Sequence, residues 1–78
     1  RNILFQKIIK SANKFSFKKI ESVDYLDGVK ITFVNGDWLS LRFSGTEDIV
    51  RIYCESDTRV KAVEIKDFAV NQIKKLAK

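Results

Sequence analysis

Residues 29–55 read VKITFVNGDWLSLRFSGTEDIVRIYCE, and through this stretch a hydrophobic side chain returns at every second position. Val29, Ile31 and Phe33 alternate with Lys30 and Thr32. Leu39, Leu41 and Phe43 alternate with Trp38, Ser40 and Arg42. Val50, Ile52 and Cys54 alternate with Arg51, Tyr53 and Glu55. A period of two is the mark of strands with one face buried and one face open. Just upstream, KKIESVDYL carries Val23 and Tyr25 in a weaker version of the pattern. Asp27-Gly28 and Asn35-Gly36 are strong turn signals, so the middle of the chain reads as a four-stranded antiparallel meander.

On either side the period lengthens. NILFQKIIKSANKF places Leu4, Phe5, Ile8, Ile9 and Ala12 on one helical face, and RVKAVEIKDFAVNQIKKLAK does the same with Ile65, Phe68, Ala69, Ile73 and Leu76. Ser56, Asp57 and Thr58 are candidate N-caps for the second helix, and lysines crowd its last turn, where the helix dipole favours cations. The fold class expected is α+β: a four-stranded antiparallel sheet with both helices packed on one face. Residues 1–78 form a single domain in this reading, without repeats, prolines or an internal linker.

Burial sets the register, because a one-residue slip would turn each apolar set to the wrong face. Aligning the apolar sets pairs Phe33 with Leu39 and Ile31 with Leu41, which needs a longer connection than a bare Asn-Gly turn. A two-residue turn would instead pair Phe33 with Trp38. In the next hairpin Leu41 meets Ile52 and Phe43 meets Val50, so Arg42 faces Arg51 on the open face. Like charges across strands destabilise a sheet. Glu47, Asp48 or Glu55 has to fold in, or the compensating anion is a ligand.

Composition narrows the function classes. With 45% hydrophobic and 32% charged residues the chain fits a globular domain. No apolar run approaches the roughly 18 residues of a membrane helix, and no signal peptide is visible. Histidine is absent, which removes Ser-His-Asp and Cys-His nucleophilic sites and histidine zinc sites. The single cysteine, Cys54, forms no internal disulfide, gives no zinc spacing and suits a reducing cytosol, so a cytoplasmic location is expected. It falls on the inward face as inert core. The first residue is Arg1, so the chain is readable as a fragment of something longer. A net charge of +5 favours anionic partners. Many of the lysines, among them Lys7, Lys10, Lys14, Lys18, Lys19, Lys66, Lys74, Lys75 and Lys78, lie in the terminal segments, as on solvated helix faces.

Between the last two strands stand Ser44, Gly45 and Thr46, flanked by Arg42 and Arg51. A phosphate dianion needs several donors converging from different directions. Two hydroxyls, a glycine that lets backbone N–H groups come close, and guanidinium forks meet that need. Arginine suits it better than lysine, because its planar donors match pairs of phosphate oxygens. A plain hairpin turn is the simpler reading of the same three residues.

The longer string WLSLRFSGTEDIVRIYCES, residues 38–56, closely resembles the C-terminal signature of the α-D-phosphohexomutases, the family of phosphoglucomutases, phosphomannomutases and phosphoglucosamine mutases. That signature runs roughly Arg-Pro-Ser-Gly-Thr-Glu-Pro, then an Arg-hydrophobic-Tyr strand and an acidic residue before the last helix. Arg42, Ser44, Gly45, Thr46, Glu47, Arg51, Tyr53 and Glu55 match in place. The upstream DGVKITFVNGDWLSL looks like the family's Asp-Gly hairpin and Trp-bearing strand. The likeness covers about residues 20 to 77. Phe43 and Asp48 stand where the family commonly has proline, and they leave every matched donor in place.

The resemblance implies the fourth domain of a four-domain enzyme, with a fold like that of the TATA-binding protein. It implies that Arg42, Ser44, Gly45, Thr46 and Arg51 hold the phosphate that is not reacting on a hexose phosphate, while Glu47 braces the loop. The parent would move phosphoryl from an active-site phosphoserine to the sugar, through a bisphosphate, with magnesium. The phosphoserine loop, the acidic magnesium loop and the sugar-reading loop have no counterpart here. The chain by itself is therefore expected to hold no catalytic residue, cofactor or metal and to be inactive. Its expected partners are a hexose phosphate and the other domains of the parent, with no nucleic acid and no membrane. Trp38 and Tyr53 could stack a sugar ring or lie against a neighbouring domain. The rival classes are a basic nucleic-acid-binding module and a protein-interaction module. An RNA-recognition motif is disfavoured by the strand order and by the missing glycine-aromatic signature.

Overall fold

The computed structural model describes residues 3–45 and 49–78. Helix α1 spans Ile3–Lys10 and is followed by a 3-10 turn at Ala12–Lys14. Four strands come next: β1 (Ile20–Asp24), β2 (Val29–Phe33), β3 (Trp38–Phe43) and β4 (Val50–Glu55). Helix α2 (Arg59–Leu76) completes the chain. The strands form one sheet in the order β1-β2-β3-β4, each antiparallel to the next, as the alternating pattern implies.

Both helices cover the same face. Ile8, Ala12 and Phe15 from the N-terminal segment and Ile65 and Ala69 from α2 close over Val29, Ile31, Phe33, Leu39 and Leu41. The opposite face carries Lys30, Thr32, Trp38, Ser40, Arg42, Arg51, Tyr53 and Glu55, the polar halves of the alternation. The first helix is shorter than its apolar pattern. It stops at Lys10, and the 3-10 turn carries the chain on so that Ala12 and Phe15 still reach the core, while Ile9 is left 42% exposed. Phe5 stacks on Phe43 with ring centroids 4.5 Å apart, which ties α1 to β3. Thr58 caps α2, its side chain accepting from the Lys61 N–H at 3.1 Å. At the other end of the helix, Lys7 Nζ donates to the Leu76 carbonyl at 3.2 Å.

Strand β1 explains why its sequence pattern is weak. Ile20 faces Phe33 and Val23 faces Ile31, with an irregularity between Ile20 and Ser22. The extra residue of a bulge breaks the period of two, so Ile20 and Val23 reach the same packing layer at odd spacing. Tyr25, read above as part of this strand, lies beyond it and is 55% exposed.

In the β2–β3 hairpin the expected face is right and the expected register is displaced by two residues. Ile31 pairs with Leu39, Val29 with Leu41 and Thr32 with Trp38. The reason is the loop. The Phe33 N–H donates to Asp37 O at 2.8 Å and the Gly36 N–H to Phe33 O at 2.9 Å, leaving three residues, Val34 to Gly36, in the turn. Gly36 takes φ +96°, the left-handed position such a three-residue turn requires. The Asp37 N–H also bonds to the Asn35 side chain at 3.0 Å. The alternation then turns Asp37 inward, into the layer of Leu39 and Leu41. The β3–β4 register agrees with expectation: Leu41 opposite Ile52, Phe43 opposite Val50, and Arg42 opposite Arg51.

Candidate phosphate site

The basic end of the sheet is built by three segments. Strand β3 supplies Arg42 and β4 supplies Arg51, directly across from it. The connecting loop is closed at its base by the Ser44 N–H donating to Ile49 O at 3.1 Å. The third segment is the turn between β1 and β2. Because Val29 faces Leu41, the residues just before it come alongside Arg42. Asp27 Oδ2 lies 3.0 Å from Arg42 Nη2, with both side chains largely exposed, at 74% and 52%.

This answers the arginine problem in part. Of the anions expected to offset the pair, Glu55 is engaged elsewhere, accepting from Trp38 Nε1–H at 2.8 Å. Glu47 and Asp48 lie outside the described residues, as does Thr46. Asp27 supplies the compensation to Arg42, and the sequence reading missed it by treating Asp27-Gly28 only as a turn. Arg51 is exposed, and among the described residues no carboxylate pairs with it.

The two glycines at this end serve opposite purposes. Gly28 has φ +99°, and a Cβ there would stand 2.2 Å from the Leu41 carbonyl oxygen. Only glycine lets this turn close against β3, which is what brings Asp27 to Arg42. At Gly45 a Cβ would meet nothing among the described residues within 4 Å. That glycine leaves room beside the loop.

Next to Arg42 the open face sinks into a shallow depression of about 280 Å³, lined by Lys30, Trp38, Ser40, Arg42 and Tyr53. Lys30 Nζ sits 4.7 Å from the Trp38 ring centroid, a cation–π contact, while Glu55 holds the indole N–H. Trp38 is thus fixed from two sides. Tyr53 is 44% exposed.

The far end of the sheet is built differently. Asp37, only 7% exposed, accepts from Lys18 Nζ at 2.9 Å and from Asn35 Nδ2 at 3.1 Å. The bond from Lys18 holds its carboxyl below the ordinary value against the opposing effect of burial, and Ser56 and Asn35 help. Lys18 had looked like one more solvated lysine. Cys54 lies half-buried on the inward face of β4, its Sγ–H donating to Ala62 O at 3.3 Å, and burial pushes the thiol pKa up. Among the described residues no group of three or more His, Cys, Asp or Glu side chains could hold a metal ion. No helix among them is long and apolar enough to cross a membrane.

The fold is a small α+β domain whose sheet carries Arg42 and Arg51 in register at one end. The family model for the phosphoglucomutase/phosphomannomutase C-terminal domain matches residues 5–72, and the chain belongs to that family. A probable phosphoglucosamine mutase of Methanobrevibacter smithii is 44% identical over 61 residues, covering 78% of this chain and 14% of the relative. A phosphoglucomutase/phosphomannomutase of Thermococcus kodakarensis is 33% identical over 78 residues, the whole of this chain and 16% of the relative. The chain thus spans a small fraction of the length of the curated relatives it matches.

Proposed function

We propose that this chain is the substrate-phosphate-binding domain of a phosphohexomutase, and that Arg42, Ser44, Gly45, Thr46 and Arg51 hold the phosphate that is not being transferred. The observation that carries the reading is the direct pairing of Arg42 with Arg51 across β3 and β4, at the base of a loop that begins Ser44-Gly45. Two guanidinium groups in register on an open face repel unless an anion lies between them, and a phosphate dianion accepts from both forks at once. The names of the relatives supply the substrate class, phosphorylated hexoses and hexosamines.

In the parent enzyme, phosphoryl would pass from a phosphoserine to a sugar hydroxyl, and the second phosphate of the resulting bisphosphate would return to serine. This domain's task is to hold the idle phosphate and so orient the sugar. Magnesium belongs to the expected parent chemistry, and among the described residues no cluster of His, Cys, Asp or Glu could hold it. The isolated chain is inactive in this reading, and its other partners are the remaining domains of the parent.

The test is a titration of the ¹⁵N-labelled chain with a hexose phosphate. A single exposed phosphate site predicts a Kd on the order of 1 mM. The amides of Ser44 and Gly45 should move, Arg51→Ala should abolish measurable binding, and Arg51→Lys should fall between the two, because it keeps the charge and loses the fork. If the lysine-rich helices respond while Ser44 and Gly45 stay still, the loop is only a turn. A steep loss of binding with salt would point instead to a contact over many phosphates, as with nucleic acid.

A further inference from the structure

The two edges of the sheet are not alike. Strand β1 carries an irregularity between Ile20 and Ser22, and a bulge is one of the devices by which an edge turns away a further strand. Strand β4, at the other edge, pairs with β3 without interruption and contains neither proline nor lysine. The Ser44 N–H bond to Ile49 O fixes which way its backbone groups point. Hydrogen-bonded pairs alternate along an antiparallel ladder, so Arg51, Tyr53 and Glu55 turn their N–H and C=O groups toward β3, while Val50, Ile52 and Cys54 turn theirs outward. Beside that edge a groove of about 310 Å³ opens between β4 and the helices, lined by Leu4, Val50, Ile52, Val70, Ile73 and Lys74.

The side chains of this edge are self-complementary. On the open face β4 carries Arg51, Tyr53 and Glu55, a cation and an acid equally spaced about a tyrosine. Two such strands, run antiparallel about a twofold axis at Tyr53, set Arg51 of each opposite Glu55 of the other. The same register joins Ile52 to Cys54 of the second copy, and both point their backbone groups outward. A shift of two residues one way would put Arg51 against tyrosine, and the other way beyond the end of the opposite strand. Arg51 pairs with no carboxylate among the described residues. Glu55 accepts from Trp38 Nε1–H through Oε1, which holds the carboxylate in place and leaves Oε2 for an arginine.

We infer that the β4 edge is a contact surface for a second copy of this domain, joining two four-stranded sheets into one. Glu55 of the second copy reaches Arg51 from the side away from Arg42. With Asp27 already beside Arg42, the row across the sheet then reads acid, base, base, acid, and the space between the two arginines stays open to an anion. The pairing also carries Val60, 69% exposed in the first turn of α2, toward the apolar groove of the other copy.

The experiment is sedimentation equilibrium of the 78-residue chain over a range of concentrations. A small edge-to-edge contact predicts a dimer with a Kd on the order of 100 µM, so the mass should double between about 10 µM and about 1 mM. Arg51→Glu and Glu55→Arg put like charges in the facing positions, and each should weaken the dimer at least about 10-fold. An equimolar mixture of the two variants restores opposite charges in both pairs and should recover the mass of the unaltered dimer. In a Cys54→Ser chain, Tyr53→Cys places one thiol from each copy on the axis, in the closer, non-hydrogen-bonded kind of pair, and oxidation should link the two chains. A chain that stays monomeric at the highest concentration overturns the inference. So does a dimer that survives undiminished in either charge variant, or a mixture that fails to recover while both amide spectra stay dispersed. Where a charge variant loses its dispersed spectrum, the cysteine chain decides, and the absence of a linked dimer overturns the assignment.

Discussion

Strand β3 has an ion pair at each end, and the two differ in almost everything but length. Lys18 and Asp37 meet at 2.9 Å with the carboxylate side chain 8% exposed; Asp27 and Arg42 meet at 3.0 Å with theirs at 74% and 52%. At the first end the acid is turned inward, receives bonds from Asn35 as well as lysine, and sits in a turn whose backbone is closed on itself. At the second end the acid lies in water and shares its arginine's neighbourhood with Arg51, which pairs with no carboxylate among the described residues. Burial decides what each pair can do. Water screens the exposed pair to no more than about 0.5 kcal/mol, so an incoming anion can replace the carboxylate. The buried pair has no such competitor. One end of the sheet is fastened, and the other is left exchangeable.

The sharpest way to break this contrast is at Gly28, which holds the exchangeable end in shape. Gly28→Ala puts a Cβ on the Leu41 carbonyl and forces a left-handed φ on alanine. The expected loss is about 3 kcal/mol of stability, read from the denaturant midpoint, with Gly36→Ala losing less because its Cβ would meet open space. A variant as stable as the original would mean that the turn does not close as described.

The fastened end should show a smaller effect with its own pH signature. Asp37→Ala leaves Lys18 and Asn35 without their acceptor at a buried position and should lower stability by about 2 kcal/mol at neutral pH. Asp37 has a depressed pKa in the fold. Its contribution is therefore fully present above the ordinary value of 3.8 and is lost as pH falls below that through the folded-state pKa. Urea midpoints measured down the acid range should fall for the unaltered chain and fall less for Asp37→Ala. Parallel curves would show that another carboxylate carries the acid sensitivity.

The smallest effect belongs to Asp27. Asp27→Asn should leave stability within about 0.5 kcal/mol and, by releasing Arg42, tighten inorganic phosphate binding by about 2-fold. Weaker binding would make Asp27 a support that aims the guanidinium rather than a competitor for it.

Much of the fold was legible because burial on one face imposes a period that the sequence cannot hide. The strands β2, β3 and β4, the pairing of Arg42 with Arg51, the inward face of α2 and the common side of both helices follow from it. What escaped lies where one residue breaks the count. The bulge near Ile20 blurred β1 and misplaced Tyr25. The three-residue turn through Gly36 shifted β2 against β3 by two positions without changing faces, since hydrophobic alternation fixes parity and not offset. The alternation that carries Leu39 and Leu41 inward carries Asp37 with them, where no rule of composition would put an acid. For the site, the proposal for Arg42, Ser44, Gly45, Thr46 and Arg51 rests on residue types and the family resemblance, and the structure adds the facing of Arg42 and Arg51. The arrival of Asp27 depended on the offset of β2 against β3, which alternation does not fix.

Cys54 gives the molecule one further property. It is the chain's only thiol, its proton is engaged by the Ala62 carbonyl of α2, and burial disfavours the thiolate that reagents attack. A thiol reagent therefore reaches this half-buried group more readily when α2 lifts from β4. The protein carries a built-in timer on the joint between helix and sheet, and the label it records sits on the face away from the arginines.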